Sequence, residues 1–238
     1  MALLKLGAFA ETLRGSAGNS TFAKTKSGTV VRDRVIPADP QTEAQSQVRK
    51  HLSTATTTFR GLSALRIKSW NQYAANFHSR SKGGKLVKKS GINVFTALAT
   101  KFLQVTPGGT LPLDPPLTRF TGDSITVTAT NGTGKVTFTA SAANAAGVKT
   151  ELLLQPLASP NRKPQKGAFK SYGFVAFASG SLSSDVIVPT GHYAAAYRFV
   201  KTASGQDTEL VVLPNLTVAL SLEAEQEQEQ EKKGKKAA

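Results

Sequence analysis

Apolar positions recur along this chain with two different periods, and the change of period divides it. Residues 20–24 (Ser-Thr-Phe-Ala-Lys) and 29–36 (Thr-Val-Val-Arg-Asp-Arg-Val-Ile) read as two short β-rich runs. Between them Lys26-Ser-Gly28 supplies a residue that tolerates positive φ, so the spacing predicts a β-hairpin. Arg32 and Arg34 lie two apart and share one strand face, with Val31 and Val35 on the other. The residues ahead of the hairpin read as a helical or irregular stretch that breaks at Gly15-Ser-Ala-Gly18.

After Pro37 and Pro40 the period lengthens. Thr42-Glu-Ala-Gln45 has the spacing with which side chains satisfy the free N–H groups of a helix start. Ala44, Val48, Leu52, Ala55 and Phe59 then follow at steps of four, four, three and four, which predicts one helix up to Gly61. A second is predicted from Ser63, with Ile67, Trp70, Ala74 and Phe77 on its apolar stripe, and a third over 92–104 with Phe95, Leu98, Ala99 and Phe102. Trp70, the sole tryptophan, is expected in the core. The basic run between the second and third helices, residues 80–89, is expected to be flexible. Residues 106–116, with four prolines and two glycines, cannot continue a helix and are expected to form an extended linker.

From Leu117 onward apolar residues alternate with Thr, Ser and charge. Strands are predicted over 124–130, 135–140, 149–155, 172–178, 183–188, 194–202 and 209–213, with an eighth over 216–222. The expected fold class is α+β, an N-terminal β-hairpin and helices followed by an antiparallel β-sandwich of immunoglobulin or fibronectin-III type. The corresponding domain scheme is 1–41 arm with hairpin, 42–105 helical region, 106–116 linker, 117–222 sandwich and 223–238 low-complexity tail. The tail, a Glu-Gln alternation ending in Lys-Lys-Gly-Lys-Lys, is too poor in apolar residues to pack and is expected to be disordered or a frayed helix.

Charge sharpens this division. The net of +15 is concentrated in residues 1–110, where 17 Lys and Arg stand against 4 Asp and Glu, a net of +13. Such a front half favours polyanions or the acidic face of another subunit, with an affinity that falls as salt rises. The candidate partner or phosphate contacts are Lys24, Lys26, Arg32, Arg34, Arg49, Lys50, Arg60, Arg66, Lys68, Arg80, Lys82, Lys85, Lys88 and Lys89. No base-reading element accompanies them, and few aromatics are interleaved for stacking on single strands.

Enzyme chemistry finds little footing. The absence of Cys removes thiolate nucleophiles and cysteine-based metal sites. His51, His78 and His192 stand far apart with no carboxylate at a metal-binding spacing, so no metal and no cofactor is expected. Gly132-Thr-Gly-Lys135 lacks the spacing of a phosphate loop and sits between two predicted strands, which makes it a turn. The carboxylates Asp114, Asp123, Asp185 and Asp207 read as solvated turn residues. The opening segment has too short an apolar run for a signal peptide, and no stretch approaches the roughly 18 apolar residues of a membrane span, so a soluble chain made in the cytoplasm is expected.

The order Gly-Asn-Ser-Thr-Phe-Ala-Lys, Gly-Thr-Val-Val-Arg-Asp-Arg-Val-Ile-Pro, Pro-Gln-Thr-Glu-Ala-Gln, Phe59-Arg-Gly-Leu-Ser and Trp70-Asn resembles a family of uncharacterised phage and prophage proteins that pair such a segment with a β-rich C-terminal domain. The resemblance covers residues 15–80 and departs from the family pattern at Ala38-Asp39 and in the Lys-rich stretch. It implies a non-enzymatic virion structural or assembly protein, a decoration, adaptor or minor capsid or tail component, located in the virion. Its partners would be other virion subunits, in a homo-oligomer, with no membrane. The alternative on charge alone is non-specific DNA binding or a role in packaging.

Overall fold

The computed structural model describes residues 2–4, 13–25, 28–36, 39–80 and 86–219. They fall into two compact units, Met1–Ser46 and Gln47–Ala238.

In the first unit the predicted hairpin is present as β3 (Ser20–Thr25) and β4 (Gly28–Asp33), with Phe22 opposite Val31. The stretch ahead of it, expected as helical or irregular, contributes two strands instead, β1 (Ala2–Leu4) and β2 (Gly15–Ala17). They complete an antiparallel sheet in the order β1-β4-β3-β2. A lone hairpin leaves a row of unpaired backbone groups on each side, and these strands take them up. Gly18, at φ +56°, opens the two-residue turn between β2 and β3, a position at which a side chain is disfavoured. β4 ends at Asp33, so the two-faced pattern does not run on to Val35, which is 80% exposed.

The second unit, from Gln47, takes in most of the first helix and the two that follow it. α1 (Glu43–Arg60) starts where Gln45 N–H donates to Thr42 Oγ1 at 3.4 Å, and α2 (Ala64–Ala74) and α3 (Gly91–Val105) follow. Their stripes meet in one core of Ala55, Phe59, Trp70, Phe95, Ala99 and Phe102. Trp70 stands edge-on to Phe95 at 5.0 Å. Of the run 80–89 between α2 and α3, expected to be flexible, residues 81–85 lie outside the described residues, and on either side of them β5 (His78–Arg80) and β6 (Leu86–Lys88) pair antiparallel.

The 106–116 stretch is not an extended spacer. Leu111 is buried, Trp70 Nε1 donates to Leu113 O at 2.9 Å, and the Arg66 guanidinium meets Asp114 at 3.0 Å. Its prolines forbid a helix but leave leucines to cover α2, and the compact division falls between Ser46 and Gln47 instead.

Seven strands follow: β7 (Val127–Gly132), β8 (Lys135–Ala140), β9 (Val148–Leu157), β10 (Lys170–Val175), β11 (Ser183–Ile187), β12 (Gly191–Lys201) and β13 (Val211–Val218). The two last strands expected from the pattern are one strand running through Pro214, which β13 accommodates because it lies at a sheet edge. The sheets have the orders β11-β8-β7 and β10-β9-β12-β13, with every pairing antiparallel. This is the strand grouping of a constant-type immunoglobulin sandwich except that the fourth strand joins the opposite sheet. The inward faces interdigitate Val136 and Phe138 of β8 with Leu152, Leu154, Ala195 and Tyr197.

A further mark of that architecture is Tyr193, near the start of the sixth strand, whose hydroxyl donates to Pro189 O four residues upstream at 2.9 Å. Tyr193→Phe is expected to cost about 1 kcal/mol, the net worth of one such hydrogen bond. A lowered urea midpoint at unchanged slope checks it.

β9 and β12 are buried on both faces. Outward from the sandwich core, Glu151, Leu153 and Gln155 alternate with the inward set, and opposite them lie Ala194, Ala196 and Arg198. Two elements cover this outer face. α3 is tied to it by Lys149 Nζ on Val105 O, and the 158–169 loop by Gln155 and Asn215, which bond Gln165 N and Pro160 O.

Candidate functional site

The densest constellation of charge lies on that covered face. Glu151 and Arg198 are opposite one another in the β9–β12 ladder, so their side chains emerge side by side. Arg198 Nε donates to Glu151 Oε2 at 2.5 Å and its NH1 meets Asp207 at 2.8 Å. From α3, Lys101 Nζ reaches both oxygens of Glu151 at 3.1 and 3.0 Å while lying 5.5 Å from the Phe174 ring centroid. The Glu151 side chain is 1% exposed.

Burial raises the Glu151 carboxyl, but the Arg198 hydrogen bond and the attraction of Lys101 and Arg198 outweigh it, and the group is held below the usual carboxylate range. For Lys101 the balance goes the other way. Burial lowers the ammonium more than Glu151 raises it, and the nearby Arg198 cation adds to the lowering. Arg198 is raised, its own burial being offset by Glu151. Glu151 and Arg198 are therefore the principal pair, and Lys101 joins them at a cost that its contacts recover only in part. With its oxygens committed to cations, Glu151 is placed to pin α3 on the sheet and poorly placed to accept a substrate proton.

Sequence reasoning treated the carboxylates as solvated turn residues and passed over Glu151. The correction follows from position: it is the one acid inside Thr150-Glu-Leu-Leu-Leu154, a run buried on both faces, where an acid persists only if paired. That run was the available signal. Asp114 and Asp185 are also engaged, the first by Arg66 and the second by Lys135 at 2.6 Å. The Gly132–Lys135 segment is the β7–β8 hairpin turn, with Gly132 paired to Lys135.

Among the described residues, concavities flank the helices. An open cleft of about 810 Å³ has Tyr73, Phe77 and Phe120 in its walls and Arg119, Asp207 and Glu209 among its charged residues. A more apolar groove of about 580 Å³ runs between α1 and α3, lined by Val48, Leu52, Ile92 and Ala97 and by His51, whose buried Nδ1 has no hydrogen-bond partner. Among the described residues no group of three or more His, Cys, Asp or Glu could hold a metal. No described helix is long and apolar enough to cross a membrane.

The predicted basic contacts are distributed, not gathered. In the first unit Lys24, Arg32 and Arg34 are exposed on and beside the hairpin. In the second, Arg49, Lys50 and Arg60 are exposed on α1, Lys68 on α2, and Lys88 and Lys89 on and after β6. Arg66 is half-buried and paired with Asp114. Arg80 belongs to the β5 backbone, while Lys26, Lys82 and Lys85 lie outside the described residues, as does the 223–238 tail.

Fold and site together define an immunoglobulin-like sandwich carrying a helical layer on one sheet, held by a buried ionic latch. No family model matches the chain, and no curated protein matches it. Among solved structures it is similar to a Bacillus amyloliquefaciens CBM33 in complex with Cu(I), at 19% identity and a TM-score of 0.27, over 38% of this chain and 55% of that one. That likeness spans about half of that protein's length, and no inference about this chain follows from it.

Proposed function

We propose that this chain is a non-enzymatic structural or assembly component of a bacteriophage particle, acting through contacts between subunits. The observation that carries the reading is the disposition of charge. The sheet's buried acid is spent on internal cations, whereas Lys50, Arg60, Lys68, Lys88 and Lys89 are exposed on and around the helices. Exposed cations over a rigid two-sheet body suit docking on an acidic neighbour better than they suit catalysis. The resemblance of residues 15–80 to phage and prophage proteins supplies the particle.

Mass spectrometry of purified particles is expected to find the chain at a fixed ratio to the major shell or tail protein, and particles devoid of it overturn the reading. The same cations favour a second reading, non-specific DNA binding. A mobility-shift titration separates the two: retardation that vanishes between about 50 and 200 mM salt is the DNA signature, whereas free duplex at low salt leaves the subunit-contact reading.

A further inference from the structure

The sandwich carries a second concentration of positive charge, outside the first 110 residues. Between Glu151 and Asp185 the chain has no acid, and its four cations there, Arg162, Lys163, Lys166 and Lys170, fall in the 158–169 loop and at the first position of β10. All four are exposed, and none meets a carboxylate among the described residues. The strands around them offer none either. β10, β12 and β13 contain no acid, and the one acid of β9 is Glu151, buried and spent on Lys101 and Arg198. Four like charges held on one loop without a compensating carboxylate repel one another, so an anion beside them is favoured.

The loop is held in place. Asn215 Nδ2 donates to the carbonyls of Pro160 and Arg162 at 2.6 and 3.1 Å, and Gln155, itself 8% exposed, accepts from Gln165 N–H at 3.0 Å. Ala168 N–H closes a turn on Gln165 O at 3.0 Å, and Pro160 and Pro164 restrict the backbone further. The cations are therefore presented from a fixed backbone, and an anion that binds there has little loop to order. Two features select the kind of anion. No large apolar side chain is exposed on the loop, whereas a protein partner is gripped by aromatic and aliphatic anchors. Three of the four cations are lysines, a residue that protein interfaces avoid. A phosphate backbone asks for positive charge and polar groups, which this loop supplies.

We propose that the loop from Arg162 to Lys170 is a nucleic-acid contact of this protein, seating the phosphate backbone without reading bases. The assignment goes beyond the proposed function. There the exposed cations on and around the helices dock on an acidic neighbour, and here a separate set on the sandwich holds nucleic acid. A count of charge by segments hides the patch, because residues 111–220 carry nine Lys and Arg against six acids, and the acids lie elsewhere in that stretch.

A mobility-shift titration of duplex DNA against salt, run on the full chain, tests this. Two variants remove the same charge from exposed positions: R162Q, K163Q, K166Q and K170Q on the loop, and K50Q, R60Q, K68Q and K88Q on and around the helices. Each phosphate contact contributes about 0.9 to the slope of log affinity against log salt, so the loop variant should flatten that slope by about 3 to 4 and the helix variant by less than about 1. Lys163→Gln with Lys166→Gln alone should flatten it by about 2, so the test does not hang on the folding of the fourfold variant. Equal flattening by the loop and helix variants would mean that the duplex responds to net charge alone, and it overturns the proposal. A loop variant that keeps the wild-type slope while the helix variant loses it also overturns the proposal, and leaves DNA binding to the helix cations. Free duplex at low salt overturns it as well and makes an acidic protein surface the partner of the loop. None of these outcomes touches particle composition, by which the proposed function stands or falls.

Discussion

Glu151→Gln is expected to destabilise the second unit by about 3–5 kcal/mol, because it leaves buried cations facing a neutral amide. Arg198 keeps Asp207 at 2.8 Å, but Lys101 loses its carboxylate in a site where burial already disfavours its charge. Lys101→Met should cost far less, since it removes a charge held at a loss and leaves an apolar chain near the Phe174 ring. Combined with Glu151→Gln it should restore part of what the single change loses, and a double-mutant cycle on urea midpoints measures this non-additivity. The same pair sets an acid limit. The carboxyl of Glu151 is depressed in the folded state, so its contribution is fully present above the ordinary glutamate value near 4.3 and drains away as pH falls through the lower folded value. Stability measured from pH 6 downward should fall in wild type and fall less steeply in the Gln variant.

Trp70→Ala is the second large effect, expected at about 3–5 kcal/mol. Trp70 is 2% exposed, packs on Phe95 and Tyr73, and donates to Leu113 O, which the substitution leaves without that donor. The informative readout is cooperativity. Because α3 is pinned to β9, and the 106–116 stretch is folded over α2, loss of the helical core should lower the melting of the sandwich as well. One shifted transition, followed by circular dichroism and by tyrosine absorbance from Tyr193 and Tyr197, is the expected result. A sandwich that melts at its wild-type temperature would mean that the helices and strands fold independently. Gly205 is the tightest point of the join. At φ +69° its missing Cβ would sit 2.2 Å from Leu98 O of α3, so Gly205→Ala should add strain at the helix and lower the same transition.

The helices were legible because their evidence is local. Steps of three and four from Val48 to Phe59, and from Ile67 to Phe77, specify a face whatever that face meets. Alternation of Thr with apolar residues specified β7 and β8 in the same way, and seven such runs point to a sandwich. Where local evidence was ambiguous, the reading slipped. Pro and Gly in 106–116 signal only that a helix stops, and say nothing of whether Leu111 and Leu113 find a surface to cover. The opening residues carry no period of their own, and their strand character comes from the free edges of a hairpin beside them.

The sequence by itself determined the periods, the turns, the concentration of positive charge in the first 110 residues and the lack of thiol chemistry, since each depends only on residue type and near-neighbour spacing. Tertiary structure alone decided which charges are spent and which are offered. Lys101, Glu151 and Arg198 are separated by 47 and 50 residues along the chain and meet only because β9 and β12 pair in one register and α3 lies across them. A charge's role is set by the dielectric and partners around it, and those are properties of the packed molecule that no window of sequence contains.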